Sequence, residues 1–289
     1  MKKNITKLLY FAFFGMAAFT TTSCSDDDNK TAATYTVDEN HVTLTGEDNM
    51  RDLGGYAGKD GKRIMYHKLF RSGELSTLTD TDLSHLAEKG FKQVIDLRTS
   101  AERAEKADKA ITGTTRYELS LIDDLSGTNG GGTSQADVFG LILSGQMTAE
   151  QMMIPAYAID DTKIEQWTKI FDLLESGETT LWHCTAGKDR AGMTTALVLS
   201  SLGVDRQTII ADFLLSNTYL ATANQQTVSY INAQYGAGVG EQLMPLLGVE
   251  EEYITTFFND IDTKYGSVDN FLKTLKVDTA KMRKNFLEK

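Results

Sequence analysis

The sequence predicts an α/β fold with a mostly parallel central sheet flanked by helices. Short apolar runs of strand length alternate with longer stretches whose apolar residues recur three and four positions apart, the pattern of strands crossing over through helices. Thr179-Thr180-Leu181-Trp182 reads as a strand, and Ala191 to Leu199 as a helix apolar almost all round, with a tight loop between them. Residues 39–289 show no internal repeat, no coiled coil and no change of composition, which suits one large domain with a well-buried core.

Each element has a local reason. Val42-Thr43-Leu44 and the stretch from Met65-Tyr66 to Leu69-Phe70-Arg71 read as strands, because β-branched and aromatic residues fit a half-buried pleat. Gly54-Gly55 and Gly58 to Gly61 supply turns between them. Thr79 or Asp80 can cap a helix that runs through Leu83, Leu86 and Ala87 to Lys89, where Gly90 stops it. Gln93 to Leu97 is a strand of the buried type, and Tyr117 to Ile122 reads as another. Between Asp123 and Pro155 the pattern changes: a glycine-rich run from Gly127 to Gly132 precedes an apolar cluster of Val138, Phe139, Leu141, Ile142, Leu143 and Met147. Thr162 to Leu174 places Ile164, Trp167, Ile170, Phe171 and Leu174 on one helical face, ended by Gly177. Helical patterns continue between about 205 and 262, and Ile209, Ile210, Phe213 and Leu214 make 206–220 read as a core helix. The loop after Trp182 then falls at the C-terminal end of a strand, where such sheets bind ligands.

The N-terminus reads as a targeting segment rather than as part of the fold. Lys2, Lys3 and Lys7 precede an apolar stretch from Leu8 to Phe19, too short to span a bilayer comfortably. Ser23 directly before Cys24 resembles a lipoprotein cleavage site, although leucine is missing three residues before the cysteine. This gives an expected signal peptide over 1–23, a lipidated Cys24, and a polar tether over 24–38. Ser25-Asp26-Asp27-Asp28 is either a solvated linker or an acidic surface-export signal like those that follow the lipidated cysteine in Bacteroides-type lipoproteins. The expected location is outside the cytoplasm, anchored through lipid to a bacterial membrane: the outer membrane, periplasmic or surface-facing.

The whole chain carries a formal charge of −11, and loss of residues 1–23 removes three lysines and no acid. Such a chain repels nucleic acid and acidic membranes in bulk, so basic character must be concentrated in a pocket. The two cysteines, Cys24 and Cys184, each have a separate expected use, and no structural disulfide is predicted. Two cysteines and four histidines never fall at zinc-ligand spacing, and no metal or cofactor is expected.

His183-Cys184-Thr185-Ala186-Gly187-Lys188-Asp189-Arg190 carries the chemistry. A loop at a helix N-terminus that turns its N–H groups inward is a ready anion site, and the same field would favour Cys184 as a thiolate. Arg190 supplies a planar fork for phosphoryl oxygens, whereas a merely solvated arginine would be disfavoured at that helix end. A cysteine-protease arrangement needs a histidine facing the sulfur. His183 would point to the opposite face of its strand, and His41, His67 and His85 have no supporting pattern.

The loop HCTAGKDR resembles the signature of the protein tyrosine phosphatase superfamily, His-Cys followed by five residues and Arg. Asn49-Met50-Arg51-Asp52-Leu53-Gly54-Gly55-Tyr56, then Arg71-Ser72-Gly73 with Leu75 and Leu78-Thr79, then Val94 to Arg98 with Glu102, look like its bacterial branch with HCxxGKDR loops. Tyr265-Gly266-Ser267 through Phe271-Leu272 also fits, so the resemblance runs from about residue 40 to the C-terminus. It implies a cysteine-phosphatase fold with inserted helices that cover the site as a lid. For 130–155, lid and core remain open alternatives.

The resemblance also implies roles. Cys184 is the nucleophile, Arg190 the phosphate ligand, and Thr185, Ala186, Gly187 and Lys188 line the phosphate. Lys188 would widen preference toward highly anionic phosphates, against the bland alternative of a solvated loop lysine. His183 supports the loop by hydrogen bonding, and Asp96 and Arg98 are structural support. The general acid is Asp189 first and Asp124 second, with Asp96 a third candidate. Ala191 departs from the Ser or Thr usual after the arginine, and Thr185 or Thr194 is a potential substitute. The implied activity is hydrolysis of phosphomonoesters through a cysteinyl-phosphate. Phosphotyrosine protein is the first substrate class, with phosphoserine/threonine or phosphoinositide activity beside it. Alternatives are an inositol-polyphosphate phosphatase of the phytase type and a non-catalytic phosphate-binding surface protein.

Overall fold

The computed structural model describes residues 40–123 and 140–289. The strands are β1 (Arg51–Asp52), β2 (Leu69–Ser72), β3 (Gln93–Asp96), β4 (Thr115–Glu118) and β5 (Thr180–His183). They form one sheet in the order β1-β2-β5-β3-β4. Only the β1–β2 pair is antiparallel. Central β5 pairs His183 with Ser72 of β2 on one side and with Asp96 of β3 on the other. The chain therefore leaves three neighbouring strands at the same sheet edge, and the loops that follow them meet there.

Both faces of the sheet are buried over β2, β5 and β3, as parallel strands require. Leu69, Ile95 and Trp182 face the larger apolar cluster, and Phe70, Val94 and Leu181 face a smaller one with Leu86 and Phe91. The smaller cluster lies under α1 (Asp80–Glu88), whose Thr79 cap and Asp82 form a reciprocal capping box. Next come α2 (Ser100–Glu105), α3 (Ala149–Ala156) and α4 (Ile164–Leu174). Gly90 and Gly177, both at positive φ, end α1 and α4 as the sequence predicts.

Helix α5 (Arg190–Leu202) follows β5 and is buried on nearly every side, so its apolar run needs no polar face. Trp182 ties strand to helix, its indole N–H lying 3.1 Å from the Thr195 hydroxyl. The chain continues through α6 (Arg206–Tyr219), α7 (Ala221–Tyr235), α8 (Met244–Leu247), α9 (Glu251–Tyr265), α10 (Val268–Thr274) and α11 (Thr279–Phe286). Helix α6 buries Ile209 and Phe213, in line with the core reading of 206–220. Within the 130–155 stretch, Ile142, Ala149 and Met153 join the larger core cluster, and α3 packs on α8 and α9. Those three residues are core, whereas residues 143–146 between them are exposed; residues 124–139 lie outside the described residues.

Three strand expectations are corrected. Val42-Thr43-Leu44 forms no strand; the chain makes an isolated bridge from His41 to Arg51 beside the two-residue edge strand β1. The strand expected from Met65 begins at Leu69, because His67 sits at φ +62° in a turn. The strand expected over 117–122 spans Thr115–Glu118, where Thr115, Arg116 and Glu118 are exposed. As the edge strand, β4 needs no hydrophobic signature. Among the described residues, no helix is long and apolar enough to cross a membrane.

Candidate active site

The loop between β5 and α5 is shaped from outside. The carbonyl of Cys184 accepts from His183 Nδ1 at 3.1 Å, and that of Thr185 from the Glu74 amide at 2.9 Å. The Ala186 carbonyl accepts from Asn49 Nδ2 at 2.8 Å. Those of Gly187 and Lys188 both accept from Arg71 Nη2, at 2.8 and 3.1 Å. A planar trans peptide points its N–H opposite to its C=O. Five successive carbonyls drawn outward therefore turn the amides of residues 185–189 toward the loop centre, an anion-binding nest at the start of a buried helix.

Gly187, at φ +72°, has to be glycine: a Cβ there would lie 2.4 Å from the Ser72 carbonyl carbon and oxygen. Cys184, at the start of this loop, is 98% buried.

Arg190 does not stand alone. Its Nη1 and Nη2 each lie 2.6 Å from an oxygen of Glu102, a bidentate pair that fixes the guanidinium plane. Burial works against both charges, yet the partnership holds the Glu102 carboxyl below and the Arg190 guanidinium above their ordinary ranges. Glu102 also accepts from the Thr185 hydroxyl at 2.6 Å and from the Thr99 amide at 2.7 Å. The Thr194 hydroxyl bonds the Arg190 carbonyl at 2.9 Å. Neither threonine hydroxyl is thus aimed at the sulfur to replace the one missing at Ala191. In the sequence Glu102 is visible only within the family stretch; Thr99-x-x-Glu102, a capping box on α2, is the local signal for it.

Asp189 occupies the N-cap position of α5 but makes no capping hydrogen bond. Its Oδ1 instead accepts from Lys188 Nζ at 3.0 Å and from the buried Tyr157 hydroxyl. Burial and the adjacent Asp189 charge push the Tyr157 phenol well above its ordinary range, so it remains a donor. Lys188 is 5% exposed, which overturns the solvated-lysine alternative. Asp124 and Cys24 lie outside the described residues.

His183 points away from the sulfur, as the strand alternation predicts. Its Nε2 lies 3.2 Å from Asp108, and burial is outweighed by Asp108 and Asp96, which raise its pKa. Asp96 accepts from Arg98 Nη2 at 2.8 Å and from Arg116 at 2.6 Å. Although burial works the other way, His183 and Arg98 hold the Asp96 carboxyl far below the usual range, so it is no proton donor. Asp96, Asp108 and His183 have ligand atoms within 4.8 Å of one another. The Arg98 guanidinium already lies 2.7 Å from Asp108, and a second cation there would be repelled.

Glu47 lies behind the loop. Its Oε1 accepts from the Gly73 and Asn49 amides at 2.7 and 2.9 Å, while Oε2 is buried without a partner. Burial raises its pKa to about 7, against the lowering effect of those amides. An acid whose folded-state pKa is raised stabilises the fold below its unfolded pKa, and that contribution is lost as pH rises through the folded value. Glu47→Gln should therefore gain stability relative to the parent between pH 5 and 8, by up to about 3 kcal/mol. Thermal unfolding across that range checks it; parallel curves for the two proteins would refute the buried-acid account.

Comparisons with known proteins give the family. Residues 42–288 match the tyrosine phosphatase family. A Cupriavidus necator protein named by inference as a tyrosine-protein phosphatase is 34% identical over 244 residues, covering 83% of this chain and 85% of the relative. The triple specificity protein phosphatase PtpB of Mycobacterium tuberculosis is 28% identical over 269 residues, covering 82% of this chain and 94% of the relative. A crystal structure of P. aeruginosa TpbA in complex with phosphotyrosine aligns at TM-score 0.34 and 13% identity, over 73% of this chain and 98% of that one. The chain belongs to the tyrosine phosphatase family and is a cysteine-dependent phosphatase.

Proposed function

We propose that this protein hydrolyses phosphomonoesters through a cysteinyl-phosphate, acting first on phosphotyrosine in proteins, in the manner of the HCxxGKDR branch. The outward-tied carbonyls of residues 184–188 carry this reading, because they turn five N–H groups toward one anion beside Cys184. The Cys184 thiolate attacks phosphorus, the ester P–O bond breaks, and Asp189 gives the departing oxygen its proton. Water, giving a proton back to Asp189, then cleaves the P–S bond and releases phosphate and the thiolate. The amides and the Arg190 donors not engaged by Glu102 hold the equatorial oxygens throughout. With no hydroxyl after Arg190, the departing sulfur depends on the loop amides for stabilisation.

A polyphosphate substrate remains the second reading, and Lys188 is the residue that tests it. Its ammonium lies on Asp189 at the loop, where a neighbouring phosphate could draw it away. Lys188→Ala should then lower kcat/KM for inositol phosphates or phosphoinositides about tenfold more than for a phosphotyrosine peptide, roughly the worth of one charge pair at a partly desolvated site. Equal losses on both substrates would leave the tyrosine reading alone.

The protein is further proposed to be exported and anchored through lipid on Cys24, outside the cytoplasm. The lysines before Leu8–Phe19 and the Ser23-Cys24 junction support this. Labelled fatty acid should enter the parent and not Cys24→Ala; label absent from both would refute the anchor.

A further inference from the structure

Arg71 and Arg51 are fully buried and share a single carboxylate, Asp212 of α6. Arg51 Nε lies 3.0 Å from Asp212 Oδ1, and Arg71 Nη1 lies 2.7 Å from Oδ2. The Tyr56 hydroxyl, 3.1 Å from Oδ1, adds no charge. Two cations against one anion leave one positive charge uncompensated inside the protein.

The surplus lies against the nest. Arg71 Nη2 bonds the Gly187 and Lys188 carbonyls, and a Cβ on Gly192, in the first turn of α5, would come within 3.1 Å of it. Arg71 Nε has no partner among the described residues. Burial and the neighbouring Arg51 push the Arg71 pKa down to about 10, while Asp212 and Cys184 oppose that shift.

Other charges around the loop balance locally. Arg190 is matched by Glu102, and Lys188 by Asp189 except while that carboxyl carries the proton it delivers. His183 and Arg98 face Asp96 and Asp108. At the partly exposed edge, Arg116 meets Glu118 and Lys106 meets Glu74. Tyr157 is neutral. Glu47, on the Gly73 amide, is the other unmatched group and titrates near neutrality.

We propose that the unmatched charge of the Arg51–Asp212–Arg71 cluster is a fixed positive field on the loop that favours negative charge in the pocket, on sulfur or on phosphate. Arg71 is thereby a positioning residue that also sets the electrostatics of the site, and Asp212 limits the field from a helix that carries no loop residue. This rests on Cys184 being the nucleophile. It assigns the pocket a source of charge besides Arg190, which Glu102 already neutralises.

The sign of one substitution separates this from a purely structural cluster. Asp212→Asn keeps a carbonyl acceptor and raises the buried surplus from one charge to two. Alkylation of the full chain by iodoacetamide, followed at the Cys184 peptide against pH, should reach its half-maximal rate about half to one pH unit lower than in the parent. Tungstate should bind about three- to tenfold tighter, and both changes should persist in 1 M salt because the charge is buried. Arg71→Gln should move both readouts the opposite way, and Arg71→Lys, which keeps the charge but loses the forked bonds to the loop carbonyls, should move them clearly less than Arg71→Gln.

A folded Asp212→Asn with an unchanged or raised midpoint overturns the proposal. If that variant does not fold, equal rises in Arg71→Lys and Arg71→Gln overturn it, since hydrogen bonds rather than charge would then be at stake. Turnover surviving in Cys184→Ser would instead remove the nucleophile reading, which these midpoints do not measure.

Discussion

Cys184→Ser is expected to reduce turnover of a phosphotyrosine peptide by about 10⁴-fold or more while leaving tungstate binding within a few fold of the parent. Serine replaces sulfur with a group that is not ionised at neutral pH, and covalent attack on phosphorus is lost. Nothing else that holds the anion changes. The carbonyls of residues 184–188 remain tied to His183, Glu74, Asn49 and Arg71, so the inward amides keep their direction. Arg190 remains clamped by Glu102. The substitution therefore separates binding from chemistry. Appreciable turnover in the folded variant would exclude the cysteinyl-phosphate, and loss of tungstate binding with the activity would mean that the loop itself had collapsed.

The parts of this site that are adjacent in the chain were legible, and those that the fold imports were not. His183 to Arg190 can be read directly because a strand, a loop and a buried helix are consecutive and each has a local signature. Glu102, Arg71 and Asn49 reach the loop from 88, 116 and 137 residues away. Their contacts depend on the strand order β2-β5-β3, which places Ser72, His183 and Asp96 side by side. The apolar runs of β5 and β3 mark both as strands, but nothing local says which strands flank β5. Asn49, Arg71 and Glu102 stand out in the sequence only through a family likeness, which does not show the carbonyls or guanidinium they hold. Tyr157 was invisible for a related reason: a tyrosine after a short amphipathic helix reads as core, and only the packing of α3 brings its hydroxyl to Asp189. Edge strand β4 was misplaced because solvent covers its outer side and no apolar alternation was needed.

Asp189→Asn is the second large effect, and its dependence on the leaving group is the informative part. A departing alkoxide or phenoxide of high pKa needs a proton as the ester bond breaks, whereas an acidic phenol leaves as its anion. The loss should therefore be on the order of 10²–10⁴ in kcat for a phosphoserine or phosphotyrosine peptide, and much smaller for an aryl phosphate with an acidic phenol. Asp189 is placed for that work: it spends no hydrogen bond on capping α5, is 29% exposed, and is steadied on one oxygen by Lys188 and Tyr157. Asp96 is not so placed, since His183, Arg98 and Arg116 keep it ionised and engaged away from the pocket. Asp124 stays the rival, and the same substrate pair tests it. If Asp124→Asn shows the steep leaving-group dependence and Asp189→Asn a uniform loss, the proton comes from Asp124. Asp189 would then serve only to hold Lys188 and Tyr157 at the edge of the loop.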